Sequence, residues 1–269
     1  MIKTIGILGC GWLGFPLATA LVEQQYHIHG SSTSQEKLNT LETSGIDPFY
    51  IELSENGIKG AIDSFLEQLD LLIINVPPRL RKEPKESYTE KMRLLHTAIK
   101  KTPLKRIIFV SSTSVYGNIN AVLNEDSPAQ PNTESGKQLL ASEKIFYEDR
   151  ELQSTIIRFG GLIGPKRHPV TFLAGKTDLK NGEDPVNLIH LDDCIGIIKQ
   201  LIKDNLQEGI INAVYPHHPS KKDYYTSEAI KRGLLPPNYS LKTSPSGNKI
   251  IESRYLNVKN YSFMTSIES

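Results

Sequence analysis

The chain has 269 residues, of which 38% are hydrophobic and 23% are charged, proportions typical of a soluble globular protein. Its 31 Lys and Arg residues nearly balance its 30 Asp and Glu residues, which argues against nucleic acid or an anionic membrane as a partner. Two cysteines cannot build a disulfide framework or a four-ligand metal site, and no apolar run is long enough to span a membrane. We therefore expect a cytoplasmic protein that uses a small-molecule substrate and holds no metal.

The chain begins with a predicted strand, a glycine-rich turn and a helix. A short apolar run ends at Gly9, further glycines follow at Gly11 and Gly14, and leucines then recur every fourth residue. In this context G-x-G-x-x-G is typical of a turn whose backbone amides bind the diphosphate of a dinucleotide. A tight turn without a ligand is the alternative, but the flanking pattern is the one that dinucleotide binding requires.

The second predicted strand, residues 26–31, ends in a run of hydroxyl side chains from Ser31 to Ser34. An NAD-binding fold usually places a carboxylate here to hold the ribose 2′-hydroxyl. Without that carboxylate, the hydroxyls and Lys37 can accept a 2′-phosphate, so the sequence favours NADP over NAD. The alternative is a loop in which Ser34 caps the next helix.

Further strands alternate with helices along the chain, and this alternation predicts an α/β fold with a doubly wound parallel sheet. We expect them at 49–53, 69–76, 107–110, 155–159, 186–191 and 210–214, with an amphipathic helix at 58–68. Residues 1–160 are predicted to form a dinucleotide-binding domain, to whose sheet residues 186–215 return. Residues 161–269 are predicted to form a small C-terminal region on the substrate side.

Four motifs, in their order and spacing, identify a family resemblance. They are the glycine turn, the hydroxyl-rich turn SSTSVYG at 111–117, the turn R-x-G-G-x-x-G-P at 158–165, and the run I-H-x-D-D at 189–193. Together they resemble the epimerase/dehydratase branch of the extended short-chain dehydrogenase/reductase family, which has a Rossmann fold. The resemblance covers the chain to about Val214.

The resemblance implies contacts to all parts of a nicotinamide dinucleotide. The diphosphate would contact Gly9, Gly11, Trp12, Leu13 and Gly14. The adenosine ribose would contact Ser32 and Thr33, and the adenine would contact Glu52 and Leu53. The nicotinamide half would contact Val76, Pro77 and Ser111. It also implies a possible homodimer through helices at 92–100 and 138–150.

The catalytic positions depart from the family pattern. Ser112 matches the family's serine that hydrogen-bonds the reacting oxygen, but Ser135 and Leu139 stand where the family has its Tyr and Lys. Tyr116 is our first candidate for a replacement proton donor, and its alternative role is structural packing behind the turn. Gly161 stands where nucleotide-sugar enzymes of the family usually carry Asn.

Other polar residues are weaker candidates for a role at the site. Arg79, Arg81 and Arg167 can receive a phosphate or carboxylate, although a solvated surface position is the alternative for each. His190 can titrate near neutral pH, or it can hydrogen-bond a neighbouring carboxylate.

Two functions follow from these patterns. The first is an NAD(P)-dependent oxidoreductase or epimerase that acts on a hydroxyl or carbonyl substrate, a sugar nucleotide being one candidate. The second is a non-catalytic protein that binds NAD(P) and reports the redox state to a partner. We favour the enzyme, because the turns at Ser112 and Gly160 retain the layout of a substrate cleft.

Overall fold

The protein was analysed as a computed structural model that describes residues 2–78, 86–205, 209–240 and 248–268. The strands are β1 (Thr4–Leu8), β2 (His27–Ser32), β3 (Asp47–Ser54), β4 (Gly57–Gly60), β5 (Leu71–Ile74), β6 (Arg106–Ser112), β7 (Val122–Leu123), β8 (Gln153–Phe159), β9 (Gly161–Ile163), β10 (Leu188–His190), β11 (Gly209–Ala213) and β12 (Ile250–Ile251). The helices are α1 (Gly14–Val22), α2 (Gln35–Thr43), α3 (Ile62–Leu66), α4 (Tyr88–Ile99), α5 (Glu134–Tyr147), α6 (Val170–Leu173), α7 (Leu191–Lys203), α8 (Lys221–Lys231) and α9 (Arg254–Val258). A 3₁₀ turn spans Thr113–Tyr116.

The main sheet, as far as the structure describes it, contains eight strands in the order β11-β8-β6-β5-β1-β2-β3-β4. Neighbouring strands run parallel, except that β4 pairs antiparallel with β3. The chain therefore crosses over between parallel strands, and the predicted doubly wound parallel sheet is confirmed.

The two faces of this sheet are covered by different helices. Leu17 of α1 and Ile198 of α7 belong to the core on one face, and Met92 of α4 and Phe146 of α5 belong to the core on the other. The β5 strand is fully buried, as expected for a central strand covered on both sides. This sandwich fixes the carboxyl ends of the strands, where ligands of such folds bind.

Residues 57–60 form the strand β4 rather than the start of the predicted helix at 58–68. Gly57 and Gly60 have positive φ angles of 158° and 98°, and Ser54 Oγ donates to the Gly57 carbonyl across the hairpin. The Gly60 backbone passes so close to the Tyr50 carbonyl that a Cβ atom would lie 1.9 Å from its oxygen. The helix is therefore short and begins at Ile62.

A third, smaller core lies in the C-terminal part of the chain. It contains Ile163, Val170, Tyr224 and Ile267, which come from β9, α6, α8 and the last described residues. Here β10 pairs with β9 in a separate two-stranded sheet, whereas β11 joins the main sheet beside β8. The assignment of residues 1–160 to dinucleotide binding and of residues 161–269 to the substrate side stays a prediction. None of the helices that the structure describes is both long and apolar enough to cross a bilayer.

Candidate functional site

The glycine turn after β1 is held by the ends of the neighbouring strands. The Gly9 amide donates to Ser31 Oγ of β2 (2.9 Å), and Asn75 Nδ2, which follows β5, donates to the Gly9 carbonyl (3.0 Å). Gly9 has a positive φ of 102°, and a Cβ atom on Gly14 would lie 2.2 Å from the Gly9 oxygen. Both positions therefore favour glycine, because a side chain there would force neighbouring backbone atoms to move.

Gly11 differs from the other two glycines because it faces open space. Apart from Gly11 and its two chain neighbours, no atom of the described residues lies within 4 Å of a Cβ built on it. The backbone amides of Trp12 and Leu13, at the entrance to α1, donate to no atom of the described residues. Unpaired amides at a helix start attract an anion. The turn therefore has the surface and the donors that a diphosphate needs.

The turn opens into a cleft of about 370 Å³ along the carboxyl ends of β2, β3 and β5. The predicted cofactor contacts that line it are Gly9, Gly11, Ser32, Thr33, Glu52, Leu53, Val76 and Pro77. Trp12, Leu13, Gly14 and Ser111 are not part of this lining. Cys10 also lines it, but burial raises the pKa of its thiol to about 12, so it is no nucleophile.

Two lysines line the cleft, and they differ in their partners. Lys91 Nζ lies 2.5 Å from Glu86 Oε2, so its charge is already paired. Lys37 is exposed, and it forms no ion pair with a carboxylate of the described chain. Ser32 Oγ, which also lines the cleft, accepts a hydrogen bond from the Ser34 amide (3.1 Å), whereas the Thr33 side chain is exposed. The cleft thus offers an exposed hydroxyl and an ammonium that no carboxylate of the described residues pairs with.

Ser112 ends β6 at the edge of the sheet where the family motif predicts the reaction. Its Oγ accepts a hydrogen bond from the Ser114 amide (3.2 Å), and no acceptor among the described residues takes its O–H. The start of α5 packs on this turn, since a Cβ atom on Gly136 would lie 2.9 Å from the Ser114 carbonyl oxygen. Ser135 therefore lies beside the serine turn, while Leu139 is buried in the apolar core.

Neither Ser112 nor Tyr116 lines the cleft, but only Tyr116 is fully buried, and the prediction of this residue as proton donor is corrected. It is fully buried, and its hydroxyl lies 3.0 Å from the Asn124 carbonyl oxygen and 2.9 Å from Asn212 Oδ1. Burial raises the pKa of the phenol, although the Arg158 guanidinium over the ring opposes this. A phenol with two internal acceptors and a raised pKa is a core residue, as its alternative role predicted.

Lys249 is a partly buried cation at the serine turn that sequence reasoning missed. Its Nζ donates to the carbonyls of Gly117 (2.7 Å) and Thr113 (3.4 Å), and burial lowers the pKa of its ammonium. Asn187 holds this segment by donating to the Lys249 carbonyl (2.8 Å) and accepting from the Ile251 amide (2.7 Å). The segment has no periodic pattern, so the sequence carried no signal for this contact.

Arg167 and Trp12 form a pair beside the glycine turn. The Arg167 guanidinium lies 4.8 Å from the centre of the Trp12 ring, and Trp12 Nε1 donates to the Pro165 carbonyl (3.0 Å). Burial lowers the pKa of Arg167. His190 accepts a hydrogen bond from the Asp192 amide (3.3 Å) and caps α7. Arg79 and Arg81 lie outside the described residues.

Residues 5–212 match the family model for the NAD dependent epimerase/dehydratase family, and the chain belongs to this family. The resemblance inferred from the motifs is thereby confirmed.

Particular relatives extend the comparison over nearly the whole chain. Protein YeeZ of Escherichia coli (strain K12) is 35% identical over 251 residues, which are 93% of this chain and 91% of that protein. Among solved structures, UDP-glucuronic acid 4-epimerase from Bacillus cereus, in complex with UDP-glucuronic acid and NAD, is 19% identical with a TM-score of 0.78 over 99% of this chain and 96% of its own. UDP-N-acetylglucosamine 4-epimerase from Bacillus cereus is 13% identical with a TM-score of 0.78 over 100% and 96%. At these identities the two structures establish the shared fold.

Proposed function

We propose that the chain is an NAD(P)-dependent oxidoreductase or epimerase that acts on a hydroxyl or carbonyl group of a small molecule, a sugar nucleotide being one candidate. The observation that carries this proposal is the open side of Gly11 next to the unpaired amides at the start of α1. When bound, the nicotinamide ring supplies the hydride acceptor or donor of such reactions. The epimerase from Bacillus cereus, solved with NAD, supports a dinucleotide in a fold of this kind.

The proposed cofactor contacts are those that follow from the turn and the cleft. The amides of Trp12 and Leu13 bind the diphosphate, and Gly11 allows its close approach. Glu52 and Leu53 line the cleft as proposed adenine contacts, and Val76 and Pro77 line it as proposed contacts for the nicotinamide half.

Calorimetric titration with oxidised and reduced NAD and NADP tests this proposal. Gly11→Ala is the informative variant, because its methyl group meets no protein atom but occupies the space proposed for the diphosphate. We expect it to weaken the binding of each dinucleotide by about tenfold or more, a cost of roughly 1.4 kcal/mol, while the melting temperature stays unchanged. Wild-type protein that binds none of the four dinucleotides would refute the proposal.

We infer a preference for NADP from the ribose end of the cleft. Thr33 offers an exposed hydroxyl there and Lys37 an unpaired ammonium, and both suit a 2′-phosphate. Lys37→Gln should weaken the binding of NADPH about tenfold and leave the affinity for NADH unchanged. Lys203→Gln, which removes an exposed lysine of α7 that does not line the cleft, is the matched control. Tighter binding of NADH than of NADPH by wild-type protein contradicts this preference.

Two side chains at the end of β6 serve the proposed chemistry. Ser112 donates its O–H to the reacting oxygen of the substrate. Lys249 fixes a positive charge beside this turn, and its lowered pKa makes its proton easier to release. Ser112→Ala and Lys249→Met should each lower turnover at least about tenfold while cofactor affinity is kept.

A non-catalytic NAD(P)-binding protein is the second candidate function. The observation that favours it is the burial of Leu139 in the apolar core at the position of the family's lysine. The discriminating experiment follows NADPH fluorescence with a panel of sugar nucleotides and small carbonyl compounds. If NADPH binds but no compound oxidises it, and Ser112→Ala changes no measured property, the sensing function is favoured over the enzyme.

A further inference from the structure

Three side chains of metal-binding type meet at the amino ends of β2 and β3, at the end of the sheet opposite the cleft. His27 and His29 are two residues apart on β2, so both lie on one face of the strand. Asp47 begins β3 and pairs in register with His29, which places it on the same face. One donor atom from each of the three side chains lies within 4.8 Å of the other two.

The His29 ring is fixed by a hydrogen bond and by an aromatic neighbour. Its Nδ1 lies 2.9 Å from the Phe65 carbonyl oxygen, and its ring packs 4.9 Å from the ring of Phe49. A carbonyl oxygen only accepts, so Nδ1 is the donor of this hydrogen bond and Nε2 is the nitrogen left to coordinate a metal ion. Histidines that bind metals are commonly held in this way by a backbone carbonyl.

His27 and Asp47 are close together and able to move. His27 Nε2 lies 3.0 Å from Asp47 Oδ2, and both side chains are more than half exposed. Two ligands at about 2.0 Å from a tetrahedral ion are roughly 3.3 Å apart. The pair therefore already has nearly the required spacing, and rotation of exposed side chains can bring its donor atoms toward His29.

We propose that His27, His29 and Asp47 bind one divalent transition-metal ion. Two imidazoles and a carboxylate suit Zn²⁺, and water completes a tetrahedral site of this kind. The ion would join the first residues of β2 to the first residue of β3. Its role is structural and independent of the dinucleotide cleft, and this site departs from the expectation of no metal.

Calorimetric titration of chelator-treated protein with zinc chloride tests the proposal, using His27→Gln and Asp47→Asn as variants. Both residues are exposed, so the variants are expected to fold, and melting curves without metal verify this. His217→Gln is the matched control, because His217 is equally exposed (58% against 57%) and lies 3.7 Å from a Glu268 carboxylate oxygen. We expect one zinc ion per chain, at least about tenfold weaker binding in both ligand variants, and no change in the control.

Substitution of cobalt for zinc gives a second readout, since a tetrahedral nitrogen and oxygen site produces visible ligand-field absorption. Loss of this absorption in His27→Gln and Asp47→Asn, but not in His217→Gln, supports the site. The proposal is overturned if wild-type protein binds no zinc stoichiometrically, or if the two ligand variants bind it as tightly as wild-type protein does.

Discussion

Gly11 and Gly14 belong to the same turn but have opposite surroundings, and alanine should therefore have opposite effects at the two positions. A Cβ atom on Gly14 would lie 2.2 Å from the Gly9 oxygen, whereas Gly11 faces open space. We expect Gly14→Ala to lower the free energy of unfolding by roughly 3 kcal/mol, because a backbone atom must move. Gly11→Ala should change it by less than about 0.5 kcal/mol.

Urea denaturation of the two variants measures this difference. Equal stabilities for Gly11→Ala and Gly14→Ala would show that the turn relaxes around the added methyl group. Loss of dinucleotide binding in a fully stable Gly11→Ala variant would show that Gly11 serves ligand binding and not the stability of the fold.

Residues with distant partners were the ones that sequence reasoning misplaced. Tyr116 lies in a turn rich in reactive side chains, but its hydroxyl partner Asn212 is 96 residues further along the chain. Lys249 reaches the carbonyl of Gly117 from a distance of 132 residues. A local pattern specifies which strand a residue follows, but not which distant side chain fills the space beside it. The place of the cleft at the strand ends, in contrast, follows from the alternation of elements, and the individual contact residues in it were implied by the family resemblance.

The same distinction applies to whole elements. The strand β5 was predictable because a short, continuous apolar run fits a central strand that is buried on both faces. The hairpin strand β4 was missed because Ile58 was assigned to the apolar face of a helix. Its pairing with β3 depends on the left-handed backbone of Gly60, which an apolar pattern does not reveal.

The attachment of α5 to the sheet depends on a buried ion pair. Arg158 of β8 donates three hydrogen bonds to Glu143 of α5, the shortest at 2.7 Å, and Ser111 Oγ of β6 donates to the same carboxylate (2.5 Å). Both charged side chains are less than 5% exposed. Removing one of them leaves the other charge buried without its partner.

We therefore expect Arg158→Met and Glu143→Gln each to lower the free energy of unfolding by about 3–5 kcal/mol. The double variant should lose less free energy of unfolding than the two single variants lose in sum, because no unpaired charge remains. Denaturation of all four proteins measures this cycle. Strict additivity would show that the two side chains act independently.

At the scale of the molecule, α4 and α5 pack beside each other on one face of the sheet. The family resemblance implies a homodimer through these helices, and the exposed Tyr147 at the end of α5 is a suitable contact residue. Sedimentation velocity should give twice the mass of one chain, and Tyr147→Glu should shift it toward the single-chain mass. A wild-type protein that sediments as one chain at all concentrations contradicts the dimer.

The C-terminal part of the chain is held by a neutral buried histidine. Tyr224 donates its O–H to the Ile267 carbonyl (2.8 Å), so its oxygen accepts from His168 Nε2 (2.9 Å). His168 Nδ1 in turn accepts from the Val170 amide (3.2 Å). Protonation of Nδ1 would place two hydrogens against each other. Burial lowers the pKa of His168, and the Arg232 charge lowers it further. The Glu228 charge acts in the opposite direction but does not cancel these two effects, and the resulting pKa of His168 is about 4.

This lowered pKa predicts how the stability of the whole chain depends on pH. Between an unfolded pKa of about 6.5 and the folded value of about 4, the unfolded chain binds a proton that the folded chain does not, so stability falls as the pH falls. From about pH 7.5 to about pH 5, His168 should remove roughly 2 kcal/mol from the free energy of unfolding. His168→Gln can keep one donor and one acceptor without titrating, so its stability should depend less on pH over this range. Urea denaturation at several pH values measures both slopes, and equal slopes would mean that His168 is already protonated in the folded protein or does not titrate on unfolding.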